Sequence, residues 1–265
     1  MQLLWRLTKQ FNGKLLITAV LSLSLVIGGV AFADDKNGEG APDPTHTGST
    51  GTRLYQPPDD LLSPFGDGSE GRRGGCTGDA QISLTALAPQ SHVGQTASTH
   101  PTFAWFVPDA QSYEIIFQLY EYGSNGSRNV IQEIPLQSSP GIMTLSLPKD
   151  KPGLSIGQRY GWRVVLLCNP NSPSSALVAG ADIDVVQTPG TFSDNLDPLE
   201  RAKQYAEAGL WYDALAEVLA SGNEATILLE DLLKDLAELE NLQAAENGSE
   251  QGQRLTQIVE VLDRW

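Results

Sequence analysis

Few groups in this 265-residue chain invite chemistry: two cysteines, three histidines and the alternate pair Asp182 and Asp184. His46, His92 and His100 lack any spacing that would set two ligands on one helix or strand face, so no zinc site is assigned. Asp182 and Asp184 fall on one face of a candidate strand, as a hydrolytic carboxylate pair requires, but such a pair also needs a partner across a cleft. A solvated strand face is the expected reading. A Gly-x-Ser-x-Gly elbow and a phosphate loop are both absent. The residues therefore assign no catalytic, cofactor-binding or metal-ligating site, and the chain reads as a non-enzyme that needs no cofactor.

The cysteines depend on the compartment, which the start of the chain addresses. Arg6, Lys9 and Lys14 precede an apolar run over residues 15–30, and Ala31-Phe32-Ala33 leads into Asp34-Asp35. That order predicts a secretory signal over 1–33, with the mature protein in the periplasm or outside the cell. The alternative is an uncleaved N-terminal membrane anchor, since sixteen residues fall only slightly short of the ~20 that cross a bilayer. An exported chain with an even cysteine count predicts a Cys76 to Cys168 disulfide. Redox activity is disfavoured, because no Cys-x-x-Cys spacing and no cation beside Cys168 lowers a thiol pKa.

Charge excludes further classes. Without residues 1–33 the chain carries 14 basic against 32 acidic residues, a formal charge of -18. Such a surface repels phosphate backbones and anionic lipid, so neither nucleic acid nor a membrane surface is an expected partner. Composition also divides the chain. Residues 34–75 are rich in Gly, Pro, Ser and Thr and read as a flexible spacer.

Over 76–190 short alternating apolar runs are punctuated by turn residues and prolines. Seven strands are expected, at 82–87, 102–107, 112–122, 129–136, 142–147, 160–168 and 176–186, with Asn125-Gly126 as a hairpin turn. Seven strands with no helical pattern between them predict a mainly β sandwich of immunoglobulin or fibronectin style. Alternation places Tyr160, Trp162, Val164 and Leu166 on one face, and Tyr113, Ile115, Phe117 and Leu119 on another.

Residues 191–265 switch to helical spacing. Two short helices meet near Gly209, and two longer ones carry the apolar stripes of Leu228 to Leu239 and Leu255 to Leu262, separated at Asn247-Gly248. A small α-helical domain is therefore predicted. Ala202, Tyr205, Gly209, Trp211 and Ala214 resemble the small and aromatic positions of a tetratricopeptide helical hairpin, which implies a repeat-like unit. Trp211 and Tyr212 are the candidate partner surface. More widely, Gly74-Gly75-Cys76, Pro101-Thr102-Phe103, the stretch from Pro140 to Pro148, Gly157 to Trp162, Cys168-Asn169-Pro170 and Tyr205 to Leu215 together resemble a cyanobacterial exported family, domain of unknown function 928. The resemblance implies export and the two-part layout, and carries over no catalytic residue.

Two functional readings follow. The first is an exported, non-enzymatic interaction or scaffold module of the cell envelope with an unknown exported protein partner. The second is an envelope carbohydrate-binding or hydrolytic protein using Trp105, Tyr120 or Tyr122 as stacking platforms beside Asp182 and Asp184. Mass analysis of the exported protein is expected to find Asp34 as the new N-terminus; a chain that still begins at Met1 marks an anchor.

Overall fold

Alternation along one strand sets the central layer. In the computed structural model, which describes residues 53–58, 63–64, 75–123, 126–188, 190, 192, 195–244 and 249–264, Tyr160, Trp162, Val164 and Leu166 all point inward and are buried. They belong to the strand Arg159–Leu167, and the signal and most of the spacer lie outside the described residues. Eight strands form two sheets: β1 (Thr85–Ala86), β2 (Gly94–Thr96), β3 (Thr102–Val107), β4 (Glu114–Tyr122), β5 (Arg128–Gln137), β6 (Gly141–Ser146), β7 (Arg159–Leu167) and β8 (Leu177–Val185). One sheet has the order β1-β3-β6 and the other β2-β8-β7-β4-β5. Phe103 of β3 meets Phe117 of β4 and Trp162 of β7 at centroid distances of 5.0 and 5.2 Å, so the core sits where the two sheets meet.

Two departures from the alternation pattern have local causes. The first expected strand pairs only at Thr85 and Ala86, while the unforeseen β2 runs parallel to β8. Three residues reading Gly-Gln-Thr carry no periodic signal; their pairing is decided by the neighbour. The other edge strand, β5, is long and exposed, yet Ile131 bulges out of its ladder with β4 and Pro135 has no N–H to offer. Bulge and proline blunt an edge that would otherwise recruit another strand.

The helices are α1 (Pro198–Glu207), α2 (Trp211–Ala220), α3 (Thr226–Gln243) and α4 (Glu250–Leu262). Asp197 caps α1 by accepting from the Leu199 N–H, and Ser249 caps α4 by accepting from the Gly252 N–H. Between α1 and α2, Gly209 adopts φ 77°, which only glycine takes without cost. Gly252 lets α4 approach α3, since a Cβ there would stand 2.8 Å from the Ala237 carbonyl oxygen. Among the described residues, no helix is long and apolar enough to cross a membrane.

Gly51–Trp265 forms one compact unit, and the buried residues of sheets and helices make one continuous core. Helix α2 makes the join. The Trp211 indole donates to the Leu87 carbonyl at 2.9 Å, and the Tyr212 hydroxyl donates to the Asp182 carbonyl at 3.0 Å. Cys76 and Cys168 are disulfide-bonded, tying the loop before β1 to the end of β7. The bond spans a sequence separation of 92. Closing so long a loop stabilises the fold by about 4.6 kcal/mol in the chain-entropy model. Reduction, or the double substitution Cys76→Ser and Cys168→Ser, is expected to lower the unfolding free energy by about that amount, read from denaturant curves fitted for both midpoint and slope, with the slope rising because the unfolded chain without the cross-link exposes more surface.

Candidate functional site

Three acids of the helical half reach across to amide groups of segments remote in sequence. Asp213, in the first turn of α2, accepts from the Ala97 N–H at 2.9 Å just after β2. Asp235 of α3 accepts from the Leu54 and Tyr55 N–H groups, the second at 3.0 Å. Glu240 of α3 accepts from the Gln90 and Ser91 N–H groups at 2.7 and 3.0 Å and from the Ser91 hydroxyl at 3.0 Å. Each acid satisfies loop amides that have no ladder partner, which a buried loop must otherwise leave unpaired. Burial raises the pKa of all three above the usual carboxylate range, and the amide hydrogen bonds pull it back down.

Asp213 lines a concavity between the sheet loops and the helices. A cleft of about 440 Å³ separates the loops around β3 and β6 from α1 and α2. Thr96, Ser98, His100, Thr102, Ser146 and Lys149 line one wall; Tyr205, Asp213, Ala216 and Glu217 line the other. Burial pushes the Asp213 carboxyl up to about 6, in the range where a group exchanges protons near neutrality. Its neighbours are held in place. Thr102 and Ser146 share a hydrogen bond of 2.7 Å between their hydroxyls, and the His100 ring binds the Thr99 hydroxyl at 3.1 Å and the Lys151 carbonyl at 2.9 Å. Arg201 and Glu217 form a two-pronged pair at 2.8 and 2.6 Å that locks α1 to α2. Hydroxyls, an imidazole, an ammonium and two carboxylates suit the recognition of a polar surface. The single carboxylate near neutrality is already bonded to the Ala97 amide.

The groups singled out in the sequence fall elsewhere. Trp211 and Tyr212 are 0 and 1 % exposed, so the expected partner surface is corrected: α2 turns its aromatic face into the core, where both polar atoms find partners. Trp105 is fully buried and Tyr120 nearly so, which removes two of the three proposed stacking platforms. Trp105 sits on β3, where its ring meets Phe117, and β3 also contacts α2. The Tyr120 ring packs against Gly161, where a Cβ would come within 2.2 Å of it. Asp182 is 2 % exposed and takes the Tyr122 hydroxyl, while Asp184 is forked by Arg159 at 2.7 and 2.8 Å. The two carboxylates share a face as expected, but that face is not the solvated one expected: Asp182 is buried, and each carboxylate is matched to its own structural partner.

His92 is buried, its ring between the Tyr55 hydroxyl at 2.9 Å and the Ser91 hydroxyl at 3.1 Å. Burial lowers its pKa to about 4, so it stays neutral near pH 7. His46 lies outside the described residues. Among the described residues no cluster of three or more His, Cys, Asp or Glu could hold a metal ion. Sequence reasoning missed Asp213, Asp235 and Glu240 because acids on an acidic helix read as solvated. It also missed Tyr55, although Leu54-Tyr55 is one of the apolar interruptions of the spacer, with Leu61-Leu62 and Phe65.

Two sheets of three and five strands followed by four helices define a mainly β protein with a C-terminal helical part. Its family can be given. Residues 68–248 match the family described as Domain of Unknown Function (DUF928), and the chain belongs to it. No curated protein matches the chain in sequence.

Titration of Asp213 has a definite sign. Its folded pKa of about 6 lies above the ~3.9 of an unfolded aspartate, so the native state binds the extra proton between these values. Stability from this group is complete below about pH 4 and is lost as pH rises through about 6. His92 titrates with the opposite sign in an overlapping window, because its folded pKa is lowered to about 4. The comparison is therefore with Asp213→Asn. Denaturant titrations from pH 4 to 7 are expected to show wild type losing stability relative to that variant; parallel pH curves contradict the assignment.

Proposed function

We propose that this protein is an exported, non-enzymatic interaction module of the cell envelope, and that the cleft between the sheet loops and α1–α2 is its contact face for an exported protein. The observation that carries this reading is the cleft itself. It is lined by hydroxyl and charged groups from two layers, held by bonds such as Arg201–Glu217 and Thr102–Ser146. A wall fixed in this way binds without first paying an ordering cost. The groups that could have done hydrolysis or redox chemistry, Asp182, Asp184, Cys76 and Cys168, are engaged in structural bonds.

In this reading the two sheets are an immunoglobulin-like sandwich and α1–α2 a tetratricopeptide-like hairpin that has sunk its aromatic face into it. Export is supported by the signal pattern over 1–33 and by the disulfide, which persists in oxidising compartments. The acidic surface favours a partner with basic or neutral polar groups.

Site-specific photo-crosslinking tests the face. A photoreactive residue at Lys149 or Ala220, both on the rim, is expected to trap one and the same protein in the exported fraction. The same group at Leu242, 61 % exposed and away from the cleft, is expected to trap none. Identical products from all three positions, or none from the rim, would sink the proposal.

A further inference from the structure

Residues 53–58, Arg-Leu-Tyr-Gln-Pro-Pro, run over the helices without regular secondary structure and are held as a bound peptide is held. A buried aromatic supplies the anchor. Tyr55 is 0 % exposed, its ring edge-on to Trp211 at 4.9 Å and stacked on His92 at 5.9 Å, its hydroxyl 2.9 Å from the His92 ring. Main-chain groups supply the register: the Leu54 and Tyr55 amides donate to Asp235, and the Gln56 amide donates to the Ala206 carbonyl at 3.0 Å. Pro57 and Pro58 have no amide to satisfy. The backbone then passes over Gly209, where a Cβ would come within 3.0 Å of the Gln56 carbonyl oxygen and 3.4 Å of Pro58.

Every amide from Leu54 to Pro58 is thus either absent or paired with a helix. None pairs with a strand. The segment also lies outside the loop closed by Cys76 and Cys168, so detaching it breaks no sheet ladder and no covalent tie. An anchor side chain in a pocket, with main-chain bonds on either side and stiff prolines after it, is the inventory of a recognised peptide.

We propose that α1, α2, α3 and His92 form a peptide-recognition groove filled in cis by the chain's own residues 53–58. The groove selects a tyrosine whose hydroxyl reaches the His92 ring, preceded by two amides aimed at Asp235 and followed by a short proline run over Gly209. A segment of that chemistry on another polypeptide enters by displacing the strap. This groove is separate from the cleft at Asp213 and does not depend on it.

The probe is a fluorescein-labelled peptide copying residues 53–58, and the host is the full chain carrying Tyr55→Ala, which leaves the anchor pocket empty. Saturable anisotropy is expected, with a peptide bearing alanine at the tyrosine position binding at least about tenfold more weakly. Wild type is expected to bind the probe at least about tenfold more weakly than the variant, because its own strap competes at high effective concentration. Should Tyr55→Ala not fold alone, the tyrosine peptide is expected to restore a cooperative melting transition and the alanine peptide is not. Absence of saturable binding to a folded variant, equal binding of the two peptides, or no restoration by the tyrosine peptide overturns the proposal.

Discussion

At the junction of sheets and helices stands one buried hydroxyl that bonds both ways. Tyr212 of α2 accepts from the Trp162 indole at 2.9 Å and donates to the Asp182 carbonyl at 3.0 Å, and all of these atoms are buried. Its ring lies edge-on to Phe103 at 6.0 Å, so a single side chain touches both sheets and the helix that carries it. In a dry interior a donor or acceptor left alone costs about 1–3 kcal/mol, and here three groups are satisfied at one point. The position of α2, and with it the cleft and the groove on either side, follows from that bond and from the Trp211 indole on Leu87.

The acids of the helical half form the second layer of the same design. Residues 191–265 hold 16 acidic and 5 basic residues, a bias that reads as a solubilising surface. Three of those acids instead receive the amides of loops that would otherwise be buried unpaired: Ala97, Leu54 with Tyr55, and Gln90 with Ser91. An ionised carboxylate is the strongest acceptor a side chain offers, and bonds to it are worth roughly twice neutral ones. The cost is desolvation, visible in the raised pKa of Asp213, Asp235 and Glu240. Loops without sheet partners are thereby fixed to helices, which is why sheets and helices share one core rather than meeting across a soft interface.

Much of the architecture was legible because periodicity is local. Alternation along β4 and β7 assigned Ile115, Phe117, Trp162 and Val164 to the core, and they are there. Helical spacing placed α1 to α4 with errors of a few residues, and proline, glycine and cap residues marked their ends. The site was far less legible. Aromatic residues on an amphipathic helix suggest a surface or a core equally well, and Trp211 and Tyr212 went to the core because their polar atoms found Leu87 and Asp182 there.

By itself the sequence determined what each segment could become: two cysteines able to pair, strands with one apolar face, helices with one apolar stripe, and a start with the pattern of an export signal. Only the tertiary structure decided which surface each face would meet. Tyr55 reads as part of a polar spacer until α3, some 180 positions later, supplies Asp235, and until His92 and Trp211 close around its ring. Asp213 reads as a solvated helix acid until the Ala97 amide comes within 2.9 Å. The physical reason is range. Propensity and periodicity act over a few residues, whereas desolvation and the pairing of buried amides depend on neighbours that the chain brings together only when it folds.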